Sequence, residues 1–188
     1  MRALIVLSLI ILSTPNVWAS KKKSCANIDA KVIQVKKLQG ALSQKGVRGE
    51  LRDFLNKQID NGVDIDESFV QKMSLNYSTQ AKYFKNYKTY QDHFKKHGKE
   101  FPGMSQKDYL RRAQEIGSSR NENILTIKNS NGVFKYVPET NELLIVEKGL
   151  IGTLYKPSLE VINNEFKSKA LPLFSSVFEW FVKAKASR

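Results

Sequence analysis

Cysteine is nearly absent from this chain, with Cys25 the single example in 188 residues. An internal disulfide is therefore excluded, and so is a zinc site built from several thiolates. Acidic residues are also scarce: 18 Asp and Glu stand against 31 Lys and Arg, which leaves a formal net charge of +13. That excess favours a polyanionic partner, either nucleic acid or an anionic membrane, although it does not indicate a fold.

Long apolar runs are missing too, apart from residues 4–12, and this run is too short to span a bilayer comfortably. Arg2 precedes this run, and Pro15 follows it. Val17 and Ala19 then stand at the −3 and −1 positions of a cleavage site, where small residues are typical. This order predicts a secretory signal peptide over residues 1–19, cleaved after Ala19. The mature protein would be secreted or periplasmic, and it would remain basic. The alternative is an uncleaved N-terminal anchor.

The first half of the chain has the spacing of helices. Apolar residues recur at three- and four-residue steps over residues 27–91, which predicts a helical N-terminal region over residues 20–90. Asp66 is placed to cap one of these helices. Ser105 and Asp108 form a capping box that opens a later helix. Between Asp66 and Ser105, aromatic residues recur at helical spacing and form a stripe that ends in a histidine: Tyr83, Tyr87, Tyr90, Phe94 and His97.

Beyond Gly117 the hydrophobic period changes to that of short strands. Apolar runs cover residues 124–128, 133–137, 143–146 and 150–156, with turns at Asn131-Gly132, residues 138–141 and Lys148-Gly149. We therefore predict an α+β fold: N-terminal helices followed by a four-stranded antiparallel β-meander packed on helices. Residues 159–188 are predicted to form a C-terminal amphipathic basic helix.

Both histidines of the chain, His93 and His97, stand four residues apart, so that a helix would place them on one face. Imidazole exchanges a proton near neutral pH, and the cations of Lys95, Lys96 and Lys99 suit a phosphate. The same pattern also fits ordinary, partly buried histidines beside a solvated lysine face. A metal site is a third interpretation, but the motif lacks the Glu of HExxH and has no third ligand nearby, so no metal is predicted.

The last predicted strand supplies a second set of polar groups. Alternation places Ile151, Thr153 and Tyr155 on one face, and Leu154 and Lys156 on the other. A threonine hydroxyl can donate to a phosphate oxygen, and a tyrosine ring can stack on a base. Alternatively, both residue types are there because they are good strand formers.

Residues 93–157 resemble the colicin D-like tRNA nuclease domains, which also occur at the C-termini of contact-dependent inhibition toxins. These domains belong to the broader barnase–EndoU–colicin–RelE-like nuclease group. The segments that carry the resemblance are, in order, His93 to Phe101, Tyr109-Leu110 with Ala113, Asn131-Gly132, Pro138 to Leu143, and Gly149 to Thr153 with Tyr155 and Pro157. The resemblance implies a nuclease domain over residues 91–158. The chain departs from the family in carrying its own predicted signal peptide.

What the resemblance implies is cleavage of RNA, most simply tRNA, without a metal or other cofactor. The ribose 2′-OH would attack the adjacent phosphorus and leave a 2′,3′-cyclic phosphate. His97 is expected to act as general base or acid with His93 as its partner, while Lys95 and Lys96 stabilise the phosphate and Thr153 binds a non-bridging oxygen. The expected substrate-binding residues are Tyr155, Lys99 and Lys156. A toxin or effector role, with a cognate inhibitor protein, would follow.

Two other classes of function stay open at this stage. One is a catalytically inactive basic module of the same fold that binds RNA, a partner protein or an anionic surface. The other is a membrane-surface protein, because apolar residues of the tail such as Phe174, Phe178 and Phe181 precede Lys183 and Lys185. More often such a stripe packs against the protein's own core.

Overall fold

The computed structural model describes the backbone of residues 17–186 and the side chains of residue 30 and residues 32–184. The predicted signal peptide lies almost entirely outside these residues. The chain has two compact units, residues 1–36 and residues 37–188. Of the first unit, the described part is helical. Among the described residues, no helix is both long and apolar enough to cross a membrane.

Helices come first and an antiparallel sheet follows, which confirms the predicted α+β class. The helices are α1 (Val17–Gln44), α2 (Gly49–Asp60), α3 (Glu67–Lys72), α4 (Tyr87–His97), α5 (Gln106–Ser118), α6 (Leu159–Ser168) and α7 (Val177–Trp180). A 3-10 turn (Gly98–Glu100) follows α4, and a π-helical turn (Phe181–Ala186) follows α7. The strands are β1 (Leu125–Asn129), β2 (Gly132–Val137), β3 (Glu142–Glu147) and β4 (Leu150–Tyr155), paired in that order.

Side-chain caps begin five of the described helices, α3 to α7, and three of these helices precede the sheet. The Asp66 carboxylate accepts from Phe69 N and begins α3, and the Ser105 hydroxyl accepts from Asp108 N and begins α5; both caps were predicted. Asn86 caps α4 by accepting from the backbone N–H of Thr89. That cap stops the helix from extending back to Tyr83.

The prediction of a helical pattern up to residue 91 is wrong for residues 73–86, which we call the crossing segment. This segment pairs with both edges of the sheet: Met73 bridges Ile127 of β1, and Phe84 bridges Ile151 of β4. The backbone N–H of Ile151 donates to the Tyr83 carbonyl. Pairing with distant strands therefore overrides the local helical spacing of the aromatic residues.

The tail forms two short helices, so the prediction of one helix over residues 159–188 is also wrong. The side-chain amide of Asn163 donates to the carbonyl of Phe174 and accepts from its backbone N–H, which folds the chain back after α6. Ala170, with a φ of 52°, lies in the bend. Phe178 and Phe181 are buried and pack against Phe54 and Tyr136. These buried residues of the tail thus cover one face of the sheet.

The opposite face packs against α5 and the crossing segment. There Lys135, buried at the centre of β2, donates three hydrogen bonds to the carbonyls of Ile116, Gly117 and Ser119. These carbonyls lie at the C-terminal end of α5, where the last carbonyls of a helix have no N–H donor within the helix. Burial lowers the pKa of the Lys135 ammonium to about 8. This lysine ties the end of α5 to the sheet.

A β-bulge in the edge strand changes which residues share a face. Ile145 pairs with Thr153 but Val146 pairs with Ile151, so Gly152 is the extra residue. As a result, Ile151 joins Leu154 in the core beneath α5 and does not share the face of Thr153. The simple alternation expected for this strand is therefore wrong at Ile151.

Tyr109 of α5 lies at the centre of that core and is fully buried. Its ring contacts Phe84, Phe94 and Phe101 with centroids 5.6–6.3 Å apart, and its hydroxyl donates to the carbonyl of Leu154. Burial raises the pKa of this hydroxyl, which therefore remains a donor. One side chain thus connects the crossing segment, α4, the 3-10 turn and β4.

We expect Tyr109→Phe to lower the free energy of unfolding by about 1–3 kcal/mol, because the Leu154 carbonyl loses its buried donor. Tyr90→Phe is the matched control. Its hydroxyl also donates to a backbone carbonyl, that of Gln106, but Tyr90 is only partly buried and water can replace it. Urea denaturation of the three proteins measures the difference. An equal effect of both substitutions would contradict the central role of Tyr109.

Candidate functional site

The two histidines lie side by side on α4, with ring centroids 6.2 Å apart and planes 17° from parallel. Phe94, between them in sequence, packs against Tyr109, which turns the histidine face of α4 along β4. Gly98 makes this fit possible, because a Cβ at that position would lie 2.7 Å from the Phe94 ring. The helix end is therefore shaped by packing as well as by sequence.

His93 contacts the fourth strand directly. Its Nδ1 lies 3.1 Å from the Thr153 hydroxyl, and its ring stacks on Phe84 with centroids 5.5 Å apart. Burial lowers the pKa of His93, and the positive charges of His97 and Lys96 lower it further. The imidazole of His93 is consequently neutral at pH 7 and able to accept a proton.

His97 is held by a carboxylate that the sequence analysis did not single out. Its Nδ1 lies 2.8 Å from Oε1 of Glu100, while Oε2 of the same carboxylate accepts from the backbone N–H of Lys156 at 2.6 Å. The Tyr155 ring lies 5.3 Å from the imidazole. Glu100 therefore fixes the orientation of His97 against the end of β4, as a carboxylate does for many functional histidines. The sequence signal that could have indicated this contact is an acidic residue three positions after a histidine.

These side chains line a cavity of about 410 Å³. Of the residues predicted for the site, the cavity brings together His93, Lys96, His97, Thr153, Tyr155 and Lys156. Lys95 and Lys99, on the exposed side of the same stretch, do not line it. The Lys156 ammonium lies 5.3 Å above the Phe101 ring. The lining of the cavity thus combines two imidazoles with hydroxyl-bearing, lysine and glutamate side chains.

The tail supplies the far wall of this cavity, which the sequence analysis did not anticipate. The lining residues from the tail are Ser158, Val161, Ile162, Glu165 and Trp180. Ile162 and Trp180 are buried, whereas Val161 is 66% exposed. The carboxylate of Glu165 pairs with Lys169 at 2.7 Å. Folding of the tail at Asn163 is what makes the site a cavity and not an open strand edge.

A larger cavity, about 630 Å³, lies between α2, α5 and the turn after β2. Several of its charged groups already have partners: the Arg112 guanidinium binds Glu142 and approaches Glu115, and Glu50 accepts from Asn123. No imidazole lines it. For acid–base chemistry the smaller cavity is therefore the better equipped of the two.

Within the described part of the chain, no group of three or more His, Cys, Asp or Glu side chains is arranged to hold a metal ion.

No protein-family model matches this chain, and no curated protein or solved structure is significantly similar to it. The resemblance to colicin D-like nucleases, which is carried by short segments of residues 93–157, therefore stays a prediction.

We expect NMR titration to place the pKa of His93 below 6.5, the ordinary value for histidine. In His97→Gln the pKa of His93 should rise, because a neighbouring like charge is removed while burial is unchanged. The lowered pKa also makes stability depend on pH. Below about pH 6.5 the unfolded chain protonates His93 more readily than the folded protein does, so the free energy of unfolding decreases as pH falls below that value. A pKa of His93 at or above 6.5, unaffected by His97→Gln, would contradict this environment.

Proposed function

We propose that this protein is a metal-independent endoribonuclease whose active site is the cavity between α4, β4 and the tail. The observation that carries the proposal is the convergence of His93, His97, Thr153 and Lys96 on one cavity of about 410 Å³. These are the groups that 2′-OH transesterification requires: a base, an acid and cationic or hydroxyl donors for the phosphate.

The environments of the two imidazoles suit different roles. His93, whose pKa is lowered, is neutral at pH 7 and accepts the proton of the ribose 2′-OH. His97, with Nδ1 held by Glu100, donates a proton from Nε2 to the departing 5′ oxygen. In this reaction the 2′ oxygen–phosphorus bond forms as the phosphorus–5′ oxygen bond breaks. A 2′,3′-cyclic phosphate and a 5′-OH result.

The phosphate would be held by the groups that flank the histidines. Thr153 donates to a non-bridging oxygen, and the ammonium groups of Lys96 and Lys156 neutralise the negative charge on the phosphorane oxygens. Tyr155, half-buried beside His97, positions the ribose or base. Glu100 touches His97 and not the substrate, so it acts as a positioning residue.

The dimensions of the site favour an unpaired nucleotide as the substrate. Ligand cavities that enclose a small molecule measure about 300–1,000 Å³, and 410 Å³ lies at the lower end of that range. Unpaired loops and ends are also where proteins reach individual RNA bases. A tRNA, which presents such loops, is the substrate class that we infer.

The place of action that we infer is outside the cytosol of the producing cell. The predicted signal peptide, residues 1–19, supports this inference. A nuclease that is exported endangers its producer only before export or after re-entry. A cognate inhibitor protein and a toxin or effector role follow from that argument.

The pure protein is expected to cleave tRNA in EDTA and to leave 2′,3′-cyclic phosphate ends, while single-stranded DNA, which lacks the 2′-OH, stays intact. His93→Ala and His97→Ala should each lower the rate by about 10²–10⁴-fold, the usual contribution of a positioned acid or base. End-group analysis and circular dichroism provide the measurements. Full activity in both folded variants, or equal cleavage of DNA, would refute the mechanism.

The neighbouring residues Lys95 and Lys96 provide a matched pair for the phosphate site. Both are exposed on α4, but only Lys96 lines the cavity. We therefore expect Lys96→Ala to lower kcat for tRNA cleavage by at least about tenfold, as loss of a transition-state cation does, and Lys95→Ala to change it much less. A larger loss for Lys95→Ala would place the phosphate on the other side of α4.

A further inference from the structure

Next to the candidate active site, the chain exposes a strip of alternating aromatic and basic side chains. This strip, which we call the basic aromatic strip, consists of Lys82, Tyr83, Lys85, Tyr87 and Lys88. Tyr83 is 65% exposed and Tyr87 is 67% exposed, which is unusual for large rings of a folded chain. The three lysines are exposed as well.

Charge in the strip is of one sign and is not neutralised. From residue 68 to residue 91 the sequence contains no Asp or Glu. Ion pairs of the described residues involve lysines elsewhere, such as Lys37 and Lys169, and none of the strip's three lysines forms one. Three unpaired ammonium groups beside two exposed rings have the chemistry that binds single-stranded nucleic acid: cations for phosphates and ring faces for bases.

The strip is held in place by the fold. The carbonyl of Tyr83 accepts from Ile151 N of β4, and the carbonyl of Lys82 accepts from the Gln114 side chain of α5. Phe84, buried between the two exposed tyrosines, anchors the strip in the core. The Asn86 cap begins α4, so that Tyr87 is its first helical residue. The backbone of the strip is therefore already ordered before a strand of nucleic acid binds.

Ring contacts connect the strip with the histidines. The Tyr87 ring lies 6.1 Å from Tyr90, Tyr90 stacks on Phe84 at 5.5 Å, and Phe84 stacks on His93 at 5.5 Å. A strand whose reacting phosphate lies at His93 would therefore reach the strip within a few nucleotides.

We propose that the basic aromatic strip binds the single-stranded RNA that flanks the cleaved nucleotide, with bases stacked on Tyr83 and Tyr87 and phosphates held by Lys82, Lys85 and Lys88. This inference rests on the proposed nuclease function and extends it from one nucleotide to a longer binding surface. Such a surface binds RNA through base stacking and through the phosphate charge, so we expect it to have little preference for base sequence.

The test separates binding from cleavage by using an uncleavable 12-nucleotide 2′-O-methyl RNA. Tyr83→Ala and Tyr87→Ala should each weaken its binding at least about fivefold, the lower end for loss of one stacked base, and Tyr→Phe should restore binding because the ring suffices. The triple variant Lys82→Gln, Lys85→Gln, Lys88→Gln should reduce the salt slope of log Kd by about 2, or about 0.7 per lost phosphate contact.

A charge-matched control removes three exposed lysines at other places on the surface: Lys57→Gln, Lys148→Gln and Lys167→Gln. It should leave the salt slope nearly unchanged. A dinucleoside monophosphate, which reaches only the cavity, should be cleaved by the strip variants at the wild-type rate, while kcat/KM on long RNA falls with the loss of affinity.

The outcomes distinguish the two proposals. If the wild-type protein cleaves RNA but the strip variants bind and cleave as it does, or if the charge-matched control is equally impaired, the strip proposal fails alone. If the strip variants lose RNA binding but the wild-type protein cleaves no RNA, the nuclease proposal fails and the binding surface stands. If the strip variants lose binding to anionic lipid vesicles but keep the wild-type affinity for RNA, the strip proposal is also overturned.

Discussion

Tyr109 and the aromatic rings around it set the geometry of the candidate site. Three of the groups that Tyr109 contacts are next in sequence to a site residue: Phe94 follows His93, Phe101 follows Glu100, and Leu154 follows Thr153. A ring cluster fixes distances well because aromatic side chains have few rotatable bonds and large contact areas. The reactive groups themselves stay at the surface of this core, where substrate can reach them.

The edge strand β4 serves two purposes that normally conflict. An exposed edge invites pairing with other chains, yet a site built at an edge needs access. Here Phe84 of the crossing segment pairs with β4 at Ile151, and the bulge at Gly152 then turns Thr153 toward His93. The crossing segment thus protects one part of the edge and the bulge redirects another, as bulges near functional sites often do.

The surface charge has different consequences in different places. In the larger cavity, Arg112 is neutralised by Glu142, and its role is to hold α5 on the sheet. Along the basic aromatic strip the lysines have no acidic partners, so their charge is available to a ligand. The total excess of positive charge is compatible with many partners, whereas its unpaired portion beside the histidines favours a polyanion that reaches both.

The sequence by itself determined the elements that depend on neighbours a few residues apart: the α+β class, the four strands and their turns, the caps at Asp66 and Ser105, and the pairing of His93 with His97 on one helical face. These follow from local periodicity and backbone hydrogen bonding. Only the tertiary structure decided that His93 and not His97 contacts Thr153, that Glu100 orients His97, and that the tail closes the cavity. The first is a contact between residues 60 positions apart. Glu100 is only three residues from His97, but its carboxylate is also bound by the backbone N–H of Lys156, 56 residues away. The fold of the tail at Asn163 sets the third. Such contacts depend on packing in three dimensions, which spacing along the chain does not encode.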